Sequence, residues 1–184
     1  MKLYTSLILI AFAIFSISIT AEVNHSKVIS QDVALKLSDY GFFTNLSKQI
    51  PTDGVLPYDL NSALFSDYAD KLRFVYVPAG GFAEYHPDEV FDFPTGSVLI
   101  KTFAYLNHFP EQEIDAQLLE TRLLIRHDDG WKNVSYIWNK EQTDAYKSIA
   151  GKTISTQFIN EYGDMQGIRS VSYTHLTLPT ICSV

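Results

Sequence analysis

Few side chains in this sequence stand at spacings that could do chemistry. The five histidines, His25, His86, His108, His127 and His175, form no H-x-H or H-E-x-x-H pair and join no carboxylate cluster, so no metal site is assigned. His127 leads into Asp128-Asp129-Gly130 and reads as a solvated turn residue. Asp88, Glu89 and Asp92 lie close together, and strand geometry would put Asp88 and Asp92 on one side. A glycosidase needs two carboxylates facing each other across a cleft, roughly 5–9 Å apart. Nothing in the pattern around these acids buries either one.

Trp131, Tyr136 and Trp138 could stack on a sugar ring, but alternation along a strand makes Tyr136 and Trp138 core residues first. Asp67, Lys71 and Arg73, with Tyr58 and Tyr68 nearby, read as a structural set. In it an Asp–Arg pair ties a loop to the first strand through charge-assisted hydrogen bonds. The chain has no G-x-S-x-G, no P-loop and no G-x-G-x-x-G, and Gly80-Gly81 reads as a turn. No catalytic, cofactor-binding or metal-ligating residue is therefore assigned.

The elements that would position these groups are strands. Leu119, Thr121, Leu123 and Ile125 alternate with Glu120, Arg122, Leu124 and Arg126, a period of two that marks a half-buried strand. Asp129-Gly130 offers positive-φ positions for a tight hairpin turn. The returning segment puts Val134, Tyr136 and Trp138 on one face and Asn133, Ser135 and Ile137 on the other. Residues 98–103 read as a third strand of the same meander, and 72–77 as a strand before it. Short strands are expected at 82–85 and 90–93, separated by a turn at His86-Pro87-Asp88, and a last strand at 152–159.

Turns or loops are expected at 51–54, 78–81, 107–118, 139–146 and 162–164. Residues 55–68 read as an ordered loop with short helical turns. Residues 31–40 read as a short helix with Ser30 as N-cap and Gly41 as its stop; a separate turn capped by Ser38-Asp39 is the alternative. The fold class is mainly β, an antiparallel, β-sandwich-like domain with short N-terminal helices.

Residues 1–21 read as a secretory signal, with Lys2 before an apolar run over 7–19 and Ile19-Thr20-Ala21 at the cleavage site. The run is shorter than the roughly 20 residues of a membrane span, so no stable span is expected after cleavage. A domain near 150 residues buries roughly 70% of its unfolded surface, so a core forms without disulfides. The single Cys182 suits a bacterial periplasmic or secreted protein of this size. Sequons at Asn24, Asn45 and Asn133 would matter only in a eukaryotic secretory route. The net charge of -7 with no basic stripe sets nucleic acid aside as a partner.

The expected organisation is a signal at 1–21, a polar leader at 22–34, a β-rich domain at 35–169 and a tail at 170–184. The tail's Thr174-His-Leu-Thr-Leu-Pro-Thr180 looks like a sequence that recurs at the ends of incomplete reading frames. It is expected to be non-native or disordered.

A series of segments carries a resemblance. In order they are Leu37-Ser-Asp-Tyr-Gly-Phe-Phe43, Val55-Leu-Pro-Tyr-Asp-Leu-Asn61, Leu64-Phe-Ser-Asp-Tyr-Ala69, Lys71-Leu-Arg-Phe74 and Phe91-Asp-Phe-Pro94. Gly96-Ser-Val-Leu-Ile-Lys-Thr-Phe103, Glu120-Thr-Arg-Leu-Leu-Ile-Arg126 and Tyr136-Ile-Trp-Asn139 with Gln142-Thr-Asp-Ala145 follow. Together, over roughly 35–169, they resemble the N-terminal, non-haem region of bacterial periplasmic diheme c-type cytochromes. The resemblance implies electron transfer with haem c for a complete protein, and a haem domain or redox partner for this region. In that family a haem-attachment C-x-x-C-H would follow a segment like Gly167-Ile-Arg169. Here the tail begins instead, so no cofactor is expected on this chain. A secreted carbohydrate- or ligand-binding β module is the alternative, and a secreted hydrolase ranks last.

Overall fold

A computed structural model describes residues 22–62, 70–106, 116–148, 153–159 and 165–171. Its centre is a six-stranded antiparallel sheet in strict chain order. The strands are β3 (Val55–Pro57), β4 (Asp70–Tyr76), β5 (Val98–Leu106), β6 (Ala116–His127), β7 (Gly130–Trp138) and β8 (Ala145–Ser148). Two smaller antiparallel pairs accompany it. One joins β1 (Phe43–Asn45) to β2 (Ile50–Pro51), and the other β9 (Thr153–Ile159) to β10 (Met165–Val171). The chain is thus mainly β and antiparallel, as its alternation predicts.

Burial follows that alternation closely along β6, where Thr121, Leu123, Ile125 and His127 are buried and Arg122, Leu124 and Arg126 are not. They join Val98, Ile100 and Ala104 of β5 and Val134, Tyr136 and Trp138 of β7 on the inner face. Each fully buried aliphatic side chain among them contributes roughly 1.5–3 kcal/mol. Leu119 departs from the expected phase. Phe103 pairs with Glu120 and Ala104 with Leu118, so Leu119 is the extra residue of a bulge, and Leu118 and Leu119 are both buried.

The N-terminal segment covers the inner face. Residues 22–30, expected as a loose leader, instead form a helical turn, α1 (His25–Val28), with Val23 and Val28 buried. The Asn24 carboxamide oxygen caps α1 by accepting from the Lys27 N–H at 3.3 Å. The helix expected over 31–40 shrinks to a 3-10 turn at Leu37–Tyr40. The Asp39 carboxylate accepts the Lys36 N–H there, and Gly41 stops the turn at φ 68°. Ser30 accepts from the Asp32 N–H in a local turn and caps no helix. Leu37, Tyr40 and Phe42 are then buried against the sheet, Phe42 against Tyr76 and Phe43 against Phe74.

Other expectations shift at the edges. Residues 55–57 are strand β3, not loop. The two strands expected between 82 and 93 reduce to one bridge, Glu84 with Asp92. Ala116–Leu118 and Ala145–Tyr146 extend or begin strands where loops were expected. In the β6–β7 turn only Gly130 takes a positive φ, and Asp129 does not. Residues 153–159 form a strand, but β10 follows it and takes in Ser170 and Val171 of the expected tail. The signal at 1–21, the turn at 162–164, Leu176, Leu178 and Cys182 lie outside the described residues. Among those described, no helix is long and apolar enough to cross a membrane.

Candidate functional site

Between β4 and β5 the chain leaves the sheet, turns at Pro78 and Gly81, and returns at Pro94. Within this excursion Glu84 and Asp92 exchange both backbone hydrogen bonds, at 2.8 and 3.0 Å. That bridge brings Tyr85 and Phe91 together, with ring centres 5.8 Å apart. Phe91 meets Phe93 at 6.4 Å, and Phe93 meets Trp131, at the start of β7, at 5.8 Å. The result is a row of four rings running from the loop onto the sheet.

Polar contacts fix the row where it joins the sheet. The Arg126 guanidinium lies 5.9 Å from the centre of the Trp131 ring. Its Nε–H donates to the Phe93 carbonyl at 3.4 Å, and its Nη2 stands 4.0 Å from the Asp92 carboxylate. The Thr95 hydroxyl donates to Asp128 at 2.8 Å, tying the loop's end to the β6–β7 turn. Its outer rings face water, Tyr85 70% and Phe91 51% exposed, and in the same loop Phe82 is 76% and Val90 58% exposed. Single exposed apolar residues are ordinary; here Tyr85 and Phe91 are exposed and in contact with each other.

The residues singled out from sequence fall in different places. Asp88, Glu89 and Asp92 are all exposed, and Asp92 faces Arg126. Of the three aromatics, Tyr136 and Trp138 are buried and only Trp131 reaches the surface, so they form no common platform. Arg73 is buried and has an acid partner, but it is Asp59 at 3.4 Å; Asp67 and Tyr68 lie outside the described residues. Pro78 to Gly81 form the expected turn, the Gly81 N–H donating to the Pro78 carbonyl at 2.9 Å.

His127 is a correction: it is buried, not solvated, because it continues the inward phase of Thr121, Leu123 and Ile125. Burial holds its pKa below the ordinary histidine range, helped by Lys132 and opposed by Asp129 and Asp128. His25 accepts or donates at 3.3 Å with the Tyr76 hydroxyl and packs beside its ring. His86 is exposed, and His108 and His175 lie outside the described residues. No three metal-ligating side chains converge among the described residues.

Several buried polar groups form two hydrogen-bonded chains; the buried Thr52 and Ser97 hydroxyls belong to neither. In the first, the Tyr136 hydroxyl donates to the Ala34 carbonyl at 2.9 Å. It accepts from the Tyr40 hydroxyl at 3.0 Å, which in turn accepts the Ala34 N–H at 3.3 Å. In the second, the Trp138 indole N–H donates to Thr121 Oγ1 at 3.0 Å. Thr121 donates to Thr102 at 2.8 Å, Thr102 to the Gln49 carboxamide oxygen at 2.6 Å, and the Gln49 amide to the Leu46 carbonyl at 2.8 Å. These chains satisfy buried groups and join the N-terminal cover and the β1–β2 turn to the sheet.

The segment Phe91-Asp-Phe-Pro94 was legible as an aromatic stretch, but its ring row with Trp131 was not. A register between a loop and a distant strand leaves no local pattern. No family model, curated protein or solved structure matches the chain.

Proposed function

We propose that this chain is the exported, non-haem accessory domain of a c-type cytochrome electron-transfer protein, and that it scaffolds or docks a haem-bearing partner. The motif order over 35–169 supports this reading, and the observation that carries it is the row of Tyr85, Phe91, Phe93 and Trp131, of which all but Phe93 are exposed, with exposed Phe82 and Val90 in the same loop. An apolar face of this kind is stabilised when a protein surface covers it. The chain's own residues do not fit a covalent haem, which needs two thiols and an adjacent histidine, because Cys182 is the single cysteine. On this reading the covalent haem belongs to the partner, and this domain's part is positional.

The row is a poor sugar platform, which weighs against the binding-module alternative. Successive rings are inclined by 63°, 51° and 76°, two pairs edge to face and one tilted, so they present no shared flat surface.

The genomic reading frame is the first test: it should encode C-x-x-C-H beyond Arg169, and a frame without it ends the proposal. In the protein encoded by such a frame, replacing Phe82, Val90 and Phe91 with Ser should free the haem-bearing part. Faster proteolysis between the two parts, with the β domain's own unfolding midpoint unchanged, is the expected result. Unchanged proteolysis would place the interface elsewhere.

A further inference from the structure

Further along the outward face of the sheet, three cations stand in one cross-strand row. Arg73 of β4 is opposite Lys101 of β5, and Lys101 is opposite Arg122 of β6. One rung along, Lys71 is opposite Phe103, and Phe103 opposite Glu120. Side chains directly opposite each other in neighbouring strands have Cβ atoms only about 4.5–5.5 Å apart, and like charges there repel. The chain has 21 acidic against 14 basic residues, so the row runs against its own composition.

The two ends of the row have acids. Arg122 makes two hydrogen bonds to Glu120, at 2.9 and 3.0 Å. Arg73 reaches Asp59 at 3.4 Å, but Asp59 is 89% exposed and weakly held. The middle cation differs: among the described residues no carboxylate forms an ion pair with Lys101. Its ammonium lies 4.9 Å from the Phe103 ring centre, and the Arg122 guanidinium lies 4.7 Å from the same ring. Burial depresses the Lys101 pKa, and Lys71, Arg73 and Arg122 push the same way against Glu120 alone. A half-buried ammonium with no ion-pair partner among the described residues opposes folding.

We propose that Lys101, between Arg73 and Arg122, is an oxyanion site that takes the carboxylate or phosphate group of a small ligand. The body of that ligand has a place beside the row. An open groove of about 400 Å³ lies along β4 where the chain leaves β3, lined by Pro57, Tyr58, Asp59, Lys71, Leu72 and Phe74 and sharing Arg73 with the row. Ligand sites are commonly about 300–1,000 Å³, apolar with a few charged anchors. The anion displaces exposed Asp59 from Arg73, binds the Lys101 ammonium and leaves the Arg122–Glu120 pair intact. The site is built from other residues than the aromatic row and stands or falls separately.

Thermal unfolding of the full chain tests it, in chloride, inorganic phosphate or succinate at matched pH and ionic strength. The midpoint should rise saturably in phosphate or succinate, and which of them acts tells phosphate from carboxylate. Lys101→Met should melt higher than the parent in chloride, because repulsion is gone, and should lose the anion-dependent rise. Lys101→Arg should keep the rise. Three results would each overturn the site: no saturable rise in either anion, an equal rise in Lys101→Met, or Lys101→Met melting below the parent in chloride. The last would mean that an acid of the chain already serves Lys101.

Discussion

At the residue scale, buried hydroxyls and one buried imidazole respond to substitution and to pH. Tyr136 donates to the Ala34 carbonyl and accepts from Tyr40, so Tyr136→Phe leaves two buried groups unmatched. Its expected cost is about 1–3 kcal/mol, read as a lower denaturant midpoint at unchanged slope. Burial raises the pKa of Tyr40, Tyr58, Tyr76 and Tyr136 above the ordinary tyrosine value of 10.0. Above that value the unfolded chain releases protons that the native chain keeps, so stability is full below it and falls as pH rises further. Tyrosinate absorbance should therefore rise together with unfolding in the alkaline range. Separate titration of Tyr40, Tyr76 or Tyr136 before unfolding would contradict their burial.

His127 has the opposite sign. Its folded pKa lies below the ordinary 6.5, so the stability it contributes is present above that value and is lost as pH falls through the folded pKa. His127→Gln should flatten the loss of stability between about pH 7 and 5. An unchanged pH profile would assign the loss to other groups. The imidazole's burial was legible, since it sits two residues beyond Ile125 in a period-two strand. The adjacent Asp128-Asp129-Gly130 drew the reading toward a turn instead.

At the element scale, the attachment of α1 to the sheet rests on a glycine. Gly96 has φ 86°, and a Cβ there would lie 2.6 Å from His25 Cε1, 3.2 Å from Pro78 Cγ and 3.3 Å from Ile29 Cγ2. Gly96→Ala is expected to cost more than about 1 kcal/mol, from backbone strain and from displacing α1. Hydrogen exchange should quicken in residues 23–29 before it does in β5 and β6. Adding His25→Ala should recover part of the loss, and no recovery would trace the cost to backbone strain alone. The 3-10 turn is tied down differently: the Asp144 carboxylate accepts the Ser38 N–H at 3.2 Å and the Ser38 hydroxyl at 2.6 Å. Ser38 was legible as a possible turn cap, but Asp144, 106 residues away, was not. Long-range capping partners leave no periodic trace. The bulge at Leu119 was hidden for a related reason, because an extra leucine in an apolar strand changes register without changing composition.

At the scale of the whole molecule, the central meander was legible because each strand pairs with its neighbour in sequence, and period-two burial with turn residues suffices to order such a sheet. What covers the sheet was not. Residues 22–34 are polar in composition, and the buried three of their five apolar residues, Val23, Val28 and Ala34, show no helical or strand period. They nevertheless join Leu37, Tyr40 and Phe42 in the same core as Ile100, Leu123 and Tyr136. A single sheet with one bare apolar face is marginal in water, so this segment is the second layer that the sheet needs. A chain beginning at Phe42 should therefore lose its cooperative thermal transition, bind a hydrophobic dye and aggregate. Were residues 22–41 only a leader, the shortened chain would melt at the parent's midpoint with the same cooperativity.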